Sequence, residues 1–412
     1  MKILLLSDRI PPEHAGGAEV IAWNFARGLR DLGHHVTILS ATAGEPFEQL
    51  RDGIETIHIH ARWPMRLHAY FTLYHPGVAR QVVSVYGQLQ PEIVAAFNIH
   101  NGLTYHSLTL AHKRGIPVAA YFQDAMSVAY GKLTHFIDPV RASYPPQALR
   151  LPPLYNLKFA RLRFNPLRNA RIRHILTHHV KTRISISEAL KTALDINGIP
   201  VPHVVYPGQD EAQWQAAPEQ ALALRQRLNI GDRPVILLAG RLNPQKGSIQ
   251  LLKTLDLVRI QVPDVRLLLL TRSTPEQQGL QTTEFAHLIP HIVTGGWLEG
   301  AELAAAYRAA DVVTTPSIYL DPLIAVNQEA MVCRKPVVTT CFGGPPEVVV
   351  DGETGYIVNP FDTDAFADRL IRILRDPLHA AELGEAGYRR FRSHFGLQER
   401  ATEMAELYRM SL

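Results

Sequence analysis

Short apolar runs alternate with amphipathic helical stretches along this chain, and the alternation starts twice. Lys2-Ile3-Leu4-Leu5-Leu6-Ser7 reads as a buried strand. A loop with Pro11-Pro12 and Gly16-Gly17 follows, and then Ala18 to Leu32 carries Val20, Ile21, Phe25, Leu29 and Leu32 at helical spacing. Gly33 suits the position just past a helix end, and His34 to Leu39 is the next strand. This is a βαβ unit, so the sheet is expected to be parallel. The pattern continues with strands near Ile54–Ile59, Ile93–Phe97, Val118–Phe122 and Arg183–Ile186. Helices are expected near Val78–Leu89, Leu103–Arg114 and Ser187–Ile196. Near Val204–Gly208 it restarts, with strands Val235–Gly240, Val265–Leu270, Val312–Thr314 and Pro336–Thr340. Helices Pro218–Leu228, Ser248–Val262, Glu299–Ala310 and Ile324–Met331 lie among them. Two such series predict two doubly wound α/β domains rather than one long sheet. In open α/β sheets ligands bind beyond the carboxyl ends of the strands. Two domains facing each other would hold a ligand in the cleft between them.

Composition fits that reading. At 46% apolar and 19% charged residues, the chain has the make-up of a globular protein with a sizeable core. No apolar run approaches the ~18 residues that span a bilayer. The first run, Ile3 to Leu6, is too short for a secretory core of ~7–15 residues. The two cysteines, Cys333 and Cys341, exclude a disulfide scaffold and a four-cysteine zinc site, and fit a reducing cytoplasm. Charge is unevenly placed. Residues 1–200 hold 22 Lys+Arg against 13 Asp+Glu, whereas residues 201–412 hold 20 against 25. From Arg141 to Arg183 there are ten Lys/Arg and no acid. Such a field points to an anionic partner.

Four constellations carry chemistry. Gly240-Arg241-Leu242-Asn243-Pro244-Gln245-Lys246-Gly247 follows a strand and precedes a helix. The glycine permits a tight turn, Arg241 offers a planar fork and Lys246 a mobile point charge, which together suit a diphosphate. An ordinary charged surface loop is the alternative, and the P-loop spacing is absent. Gly16-Gly17-Ala18-Glu19 opens a helix, where bare amides bind anions or simply turn the chain. Asp321-Pro322 and Glu329 could grip sugar and ribose hydroxyls, with Pro322 starting a helix. Equally, Asp321 could be an N-cap and Glu329 a solvated charge. Phe342-Gly343-Gly344-Pro345-Pro346-Glu347, with Asp351-Gly352-Glu353-Thr354-Gly355 behind it, places two glycine-bearing loops around a short helix.

In this order the four motifs resemble the family 4 retaining glycosyltransferases of the GT-B fold. The resemblance covers nearly the whole chain, and includes Gly33-His34-x-Val36, Ser185-x-Ser187 and Val205-Tyr206-Pro207-Gly208-x-Asp210. It implies a domain at 1–204 for the acceptor and one at 205–392 for the nucleotide-sugar donor, with a helix at about 393–412 packing back on the first. It implies that Arg241 and Lys246 hold the donor diphosphate, that Asp321 contacts the donor sugar and that Glu329 binds the ribose. Asp124 joins Arg241, Lys246 and Asp321 as an implied catalytic residue. Gly16, Gly17, Gly240, Gln123, Gly296, Leu323 and Ile324 join Glu329 as implied donor-binding positions. No cofactor and no metal is implied.

The sequence departs from the family in places. Asp321 replaces the usual Glu, Ile324 and Arg334 replace glycines, and Thr271-Arg272-Ser273 replaces Gly-x-Gly. Gln123-Asp124 stands where His-Asp is frequent. Gln cannot be a general base, but it can ligate a hydroxyl. The expected activity is transfer of a sugar from a nucleotide diphosphate sugar to a glycan, lipid-linked or small-molecule acceptor. An epimerase or hydrolase on the same fold, or a non-catalytic nucleotide-sugar-binding subunit, is the alternative. The expected location is cytoplasmic, with 141–183 available to an anionic membrane surface. Nucleic acid is not an expected partner, since no binding module is present.

Three signals are set aside. Asp362-x-Asp364 reads as a helix cap. His58-x-His60 and His178-His179 have no carboxylate or cysteine beside them in sequence and read as structural. No Gly-x-Ser-x-Gly elbow supports a hydrolase triad.

Overall fold

The computed structural model describes residues 1–13, 16–240, 242–271, 274, 277 and 283–412. The chain divides into two compact units, one of 1–135, 145–208 and 397–412, the other of 136–144 and 209–396. Thus the division falls at 208/209 rather than 204/205, and residues 136–144 go with the second unit although they interrupt the first in sequence.

Unit 1 holds eight strands: β1 (Lys2–Leu6), β2 (His35–Thr42), β3 (Phe47–Arg51), β4 (Ile54–His60), β5 (Ile93–Ala96), β6 (Val118–Phe122), β7 (Thr182–Ser185) and β8 (His203–Val204). Their order is β3-β4-β2-β1-β5-β6-β7-β8, parallel throughout except where β3 pairs antiparallel with β4. The β3–β4 hairpin is an addition to the expected pattern. Its turn is Asp52-Gly53, with φ of 49° and 71°, the positive values that the hairpin turn type demands. Central strands are buried on both faces, as aliphatic runs in parallel sheets are. The C-terminal helix, Leu397–Arg409, packs on helix Gly17–Asp31 through Gly28, where a Cβ would lie 2.6 Å from that of Ala401.

The helix expected over Leu103–Arg114 forms only over His106–His112. The amides of Asn101, Gly102 and Leu103 instead donate to the carboxylate of Asp8 at the end of β1. Within the expected helix, Thr104 stands at φ +62°, outside helical geometry, so the helix cannot begin until after it.

Unit 2 holds β9 (Val235–Ala239), β10 (Arg266–Leu270), β11 (Ile292–Thr294), β12 (Val312–Thr315), β13 (Val337–Thr340) and β14 (Gly355–Val358). All are parallel, in the order β11-β10-β9-β12-β13-β14. Its core joins Ile236, Leu238, Leu267 and Leu269 to Leu251, Leu255, Phe366 and Leu370 from helices Ser248–Gln261 and Thr363–Arg375. Residues 136–144 are held by Asn359, whose Nδ2 donates to the carbonyls of Asp138, Pro139 and Arg141, each at 3.2 Å. Among the described residues, no helix is long and apolar enough to cross a membrane.

Candidate active site

In unit 2 the polar groups gather at the carboxyl ends of β9, β12 and β13. Gly240 leaves β9 at φ +145°, a conformation that favours glycine. The chain then turns through Pro244–Lys246, capped by the Asn243 side chain accepting from Lys246 N at 3.0 Å. Gly247 follows at φ +76°, and a Cβ there would collide with the Pro316 carbonyl oxygen. That close approach sets Lys246 opposite the loop after β12. Its Nζ lies 2.8 Å from Asp321 Oδ2 and 5.3 Å from the centre of the Tyr319 ring. The Ser317 hydroxyl donates to the same Oδ2 at 2.9 Å.

Asp321 is 4% exposed. Burial, the largest influence, would raise its pKa. Lys246, Tyr319 and Ser317 outweigh it and hold the carboxyl below its ordinary value. The backbone of Asp321 pairs with Gly343, and Gly344 N donates to its carbonyl at 2.8 Å. Gly343 has φ +92°, and a Cβ would strike the Asp321 backbone. Its N–H donates to the Tyr144 hydroxyl at 3.1 Å. The Gly-Gly loop therefore fixes Asp321.

This geometry corrects two expectations. Pro322 does not start the helix, which spans Ala325–Val332 with Ile324 as its N-cap. Asp321 is not an N-cap, because its carboxylate is on Lys246. Leu323 and Ile324 are buried, which leaves only their backbone for a ligand. Glu329 sits little more than one turn into the helix, and it is not a solvated charge. The Tyr307 hydroxyl donates to its Oε2. Burial, the dominant cause, pushes the Glu329 pKa up to about 7, and the Tyr307 bond acts the other way. Gly296 follows β11 at φ +79° with open space where a side chain would stand. Arg241 and the Arg272-Ser273 departure lie outside the described residues.

In unit 1, Gly16 is the N-cap of helix Gly17–Asp31, and a Cβ at Gly17 would meet nothing. Gln123, just past β6, donates from Nε2 to the Ala18 carbonyl at 3.2 Å. Its Oε1 is buried with no hydrogen-bond partner among the described residues. Asp124 follows, with Oδ1 accepting from Met126 N at 2.8 Å and lying 3.2 Å from His100 Nε2. Burial would raise the Asp124 pKa, but His100, Met126 N and Arg168 together hold it low. Asp8 is buried past the end of β1, which is separated from β6 by β5, and burial takes its pKa up to about 6 against the pull of three amides and His100.

The implied site residues thus fall into two groups. Lys246, Asp321, Glu329, Gly240, Gly296, Leu323 and Ile324 belong to unit 2. Gly16, Gly17, Gln123 and Asp124 belong to unit 1. Sequence reasoning missed Asp8, His100, Tyr144 and Tyr307. Asp8 and His100 could have been found by position alone, since each follows a strand closely. The set-aside signals resolve simply. Asp362 Oδ1 accepts from Ala365 N at 3.0 Å as a cap. His58 stacks on Phe47, and among the described residues no three His, Cys, Asp or Glu side chains gather as a metal site.

Two doubly wound units, each with polar groups at the carboxyl ends of its strands, define the GT-B class of glycosyltransferase fold. Residues 15–213 match Glycosyltransferase Family 4, and residues 221–390 match Glycosyl transferases group 1. The chain belongs to this family of glycosyltransferases. It is 31% identical over 207 residues to a GDP-mannose-dependent alpha-(1-6)-phosphatidylinositol monomannoside mannosyltransferase of Mycolicibacterium smegmatis, covering 49% of this chain and 54% of that protein. It is 35% identical over 216 residues to a D-inositol 3-phosphate glycosyltransferase of Xylanimonas cellulosilytica, covering 50% of each. The chain spans about half the length of these curated relatives. In fold it is similar to sucrose-phosphate synthase from Thermosynechococcus elongatus, with a TM-score of 0.74 at 22% identity over 99% of this chain and 98% of that one. It is also similar to Anabaena HepE in complex with UDP-glucose, with a TM-score of 0.71 at 19% identity over the whole of both chains.

Proposed function

We propose that this protein transfers a glycosyl group from a nucleotide diphosphate sugar to a glycan, lipid-linked or small-molecule acceptor, with retention and with no metal in the step. The observation that carries this reading is the Lys246–Asp321 pair at the strand ends of unit 2, with Gly247 and Gly343 leaving no room for side chains beside it. Lys246 exchanges its carboxylate partner for the donor diphosphate and neutralises the charge that builds on the leaving group. Asp321, freed from Lys246, accepts hydroxyls of the donor sugar. Glu329 accepts from the ribose. Arg241 adds its planar fork to the diphosphate. In unit 1, Gly16 and Gly17 offer bare amides at a helix start, and Gln123 and Asp124 offer hydroxyl ligands. No carboxylate is assigned as nucleophile; the acceptor attacks the same face through an oxocarbenium-like state, and the leaving phosphate takes its proton. The names of the relatives support a nucleotide-sugar donor and an inositol-containing acceptor. The test is a panel of nucleotide diphosphate sugars, with and without candidate acceptors, followed by product analysis. Acceptor-dependent glycoside with retained configuration is expected. Release of free sugar alone, whatever the acceptor, would make the protein a hydrolase, and binding without turnover would make it a binding subunit.

We further infer a cytoplasmic protein that meets an anionic membrane surface through unit 1. Within the acid-free stretch 141–183, Leu154, Leu157, Phe159 and Leu167 are exposed beside Lys158, Arg161 and Arg163. A second acid-free run, 56–91, adds exposed Met65, Leu67, Tyr70 and Tyr74. The two runs touch, Asn165 Nδ2 donating to the Ala69 carbonyl at 3.1 Å. Of the ten cations, Arg141 belongs to unit 2, Lys181 donates to the Ser411 carbonyl at 2.7 Å, and two more are spent inside the fold. Arg168 is buried on Tyr130 and Met126, and Arg183 donates to the carbonyls of Leu176, Val180 and Pro200. Each remaining cation near the surface adds about 1 kcal/mol. Vesicles of anionic lipid should sediment the protein at low salt, vesicles of neutral lipid should not, and high salt should release it. No sedimentation with anionic vesicles at low salt would remove the membrane from the account.

A further inference from the structure

Asp124 is paired with a residue that carries no recognisable motif, His100. His100 lies four residues past the end of β5, is 7% exposed, and comes from the strand next to β6, which carries Asp124. Its two ring nitrogens are both engaged. Nδ1 is 2.8 Å from the Tyr105 hydroxyl, and Nε2 is 3.2 Å from Asp124 Oδ1. Tyr105 is itself 2% exposed and 3.3 Å from the Ser127 hydroxyl. The His100 carbonyl accepts from the Thr72 hydroxyl at 2.7 Å, so the backbone is held as well as the ring. Burial raises the Tyr105 pKa, so the hydroxyl stays protonated and can donate to Nδ1. The ring proton is then on Nε2, facing Asp124. On Asp124, Oδ1 takes both His100 and Met126 N, whereas Oδ2 takes no hydrogen bond from a described residue.

We propose that His100 is a positioning residue: clamped by Tyr105, it holds Asp124 through Oδ1 so that Oδ2 is presented, ionised and in one orientation, to a hydroxyl of the bound sugar or acceptor. The ligand in this statement rests on the glycosyltransferase reading; the coupling of His100 to Asp124 does not. The charged and titratable groups around the pair are Asp8 on the end of β1, Arg168 on helix Arg168–His178, and His68 and Tyr105. Asp8 accepts from the loop that follows His100, and Arg168 lowers the Asp124 pKa alongside His100. Loss of His100 leaves burial, the largest influence on Asp124, less opposed, so its titration moves to higher pH.

Two measurements separate the inference from the reading it rests on. The first follows the Asp124 carboxyl by carbon NMR on aspartate-labelled protein, its signal assigned by its absence in Asp124→Asn. His100→Leu should raise its titration midpoint. Tyr105→Phe, a milder change, should raise it less, and His100→Gln, which keeps an N–H donor, should hold it nearest to wild type. Unmoved midpoints in His100→Leu and Tyr105→Phe would overturn the positioning role without touching the glycosyltransferase reading. The second measurement is the pH profile of transfer. His100→Leu should cost roughly tenfold to a hundredfold in kcat, the scale of one hydrogen bond to a charged group, and should shift the acid limb upward. His100→Gln should recover most of the kcat at neutral pH. Equal losses in both variants at every pH would mark a purely structural residue and overturn the proposal. Full turnover in Asp124→Asn would instead overturn the part given to Asp124.

Discussion

Alanine at Lys246 should lower turnover by roughly 10²–10³, the cost of losing one preorganised group aimed at developing charge. Affinity for a nucleoside monophosphate should barely change. The reason lies in what Lys246 faces. Its ammonium is held by Asp321 at 2.8 Å, at the end of a loop that Gly247 seats on Pro316. A diphosphate entering here replaces one anionic partner by another, so ground-state binding gains little. Charge then builds on the leaving oxygen in the transition state, and only there does the cation act in full. The loss should therefore appear in kcat rather than in KM. Arginine at 246 should recover only part of the rate, since a planar fork does not reproduce a point charge on a flexible stem. Stability offers a second reading of the same variant. Asp321 has a folded pKa below its ordinary value of 3.8, so in wild type it contributes stability that is present above that value and lost as pH falls through the folded one. Without Lys246, burial dominates and the sign reverses, so Lys246→Ala should lose most melting temperature at neutral and alkaline pH. Wild-type turnover in a folded Lys246→Ala would sink the proposed role.

Much of this architecture was legible because parallel strands buried on both faces are written as unbroken aliphatic runs. Leu4-Leu5-Leu6 and Val235-Ile236-Leu237-Leu238 admit few alternatives. Legibility failed where tertiary contacts overrode local preference. Proline at 322 is a good helix start, yet Asp321 is anchored by Lys246 through its side chain and by Gly343 through its backbone, and the helix waits until Ala325. The stretch from Leu103 has a helical pattern, yet Thr104 stands at φ +62° and the helix waits until His106. Residues 136–144 read as loop and carry no periodic signal, and their place in unit 2 depends on Asn359, more than 200 residues away. The site shows the same division. Motif spacing led to Lys246, Asp321 and Glu329, whose residue types carry recognisable chemistry. It did not lead to Tyr307 or His100, whose importance comes from the carboxylates they touch.

Asn at Asp321 and Gln at Glu329 should fail in different ways. Asp321→Asn should leave affinity for the nucleoside diphosphate near wild type while transfer falls at least tenfold, because the sugar hydroxyls lose a charged acceptor. Glu329→Gln should weaken the nucleoside diphosphate itself, since donor and product share the ribose. The two carboxyls also differ in proton affinity. Asp321 is held low by Lys246, whereas burial lifts Glu329 to about 7. Ionised Glu329 accepts hydroxyl bonds more strongly than the acid does. Nucleoside diphosphate affinity in wild type, measured against Glu329→Gln to remove the titration of the phosphate, should therefore rise as pH passes through about 7. Stability runs the other way. The folded pKa of Glu329 lies above the ordinary value of 4.5, so the stability it contributes is full below 4.5 and is lost as pH rises through about 7. Glu329→Gln should lose less melting temperature than wild type over that interval. Bound ribose replaces part of the lost hydration and should lower the Glu329 pKa, which narrows the difference between the two proteins when the site is filled. Calorimetry across this pH range decides the matter. Equal effects of both substitutions on nucleoside diphosphate affinity, with no pH dependence distinguishing wild type from Glu329→Gln, would refute the division between sugar and ribose.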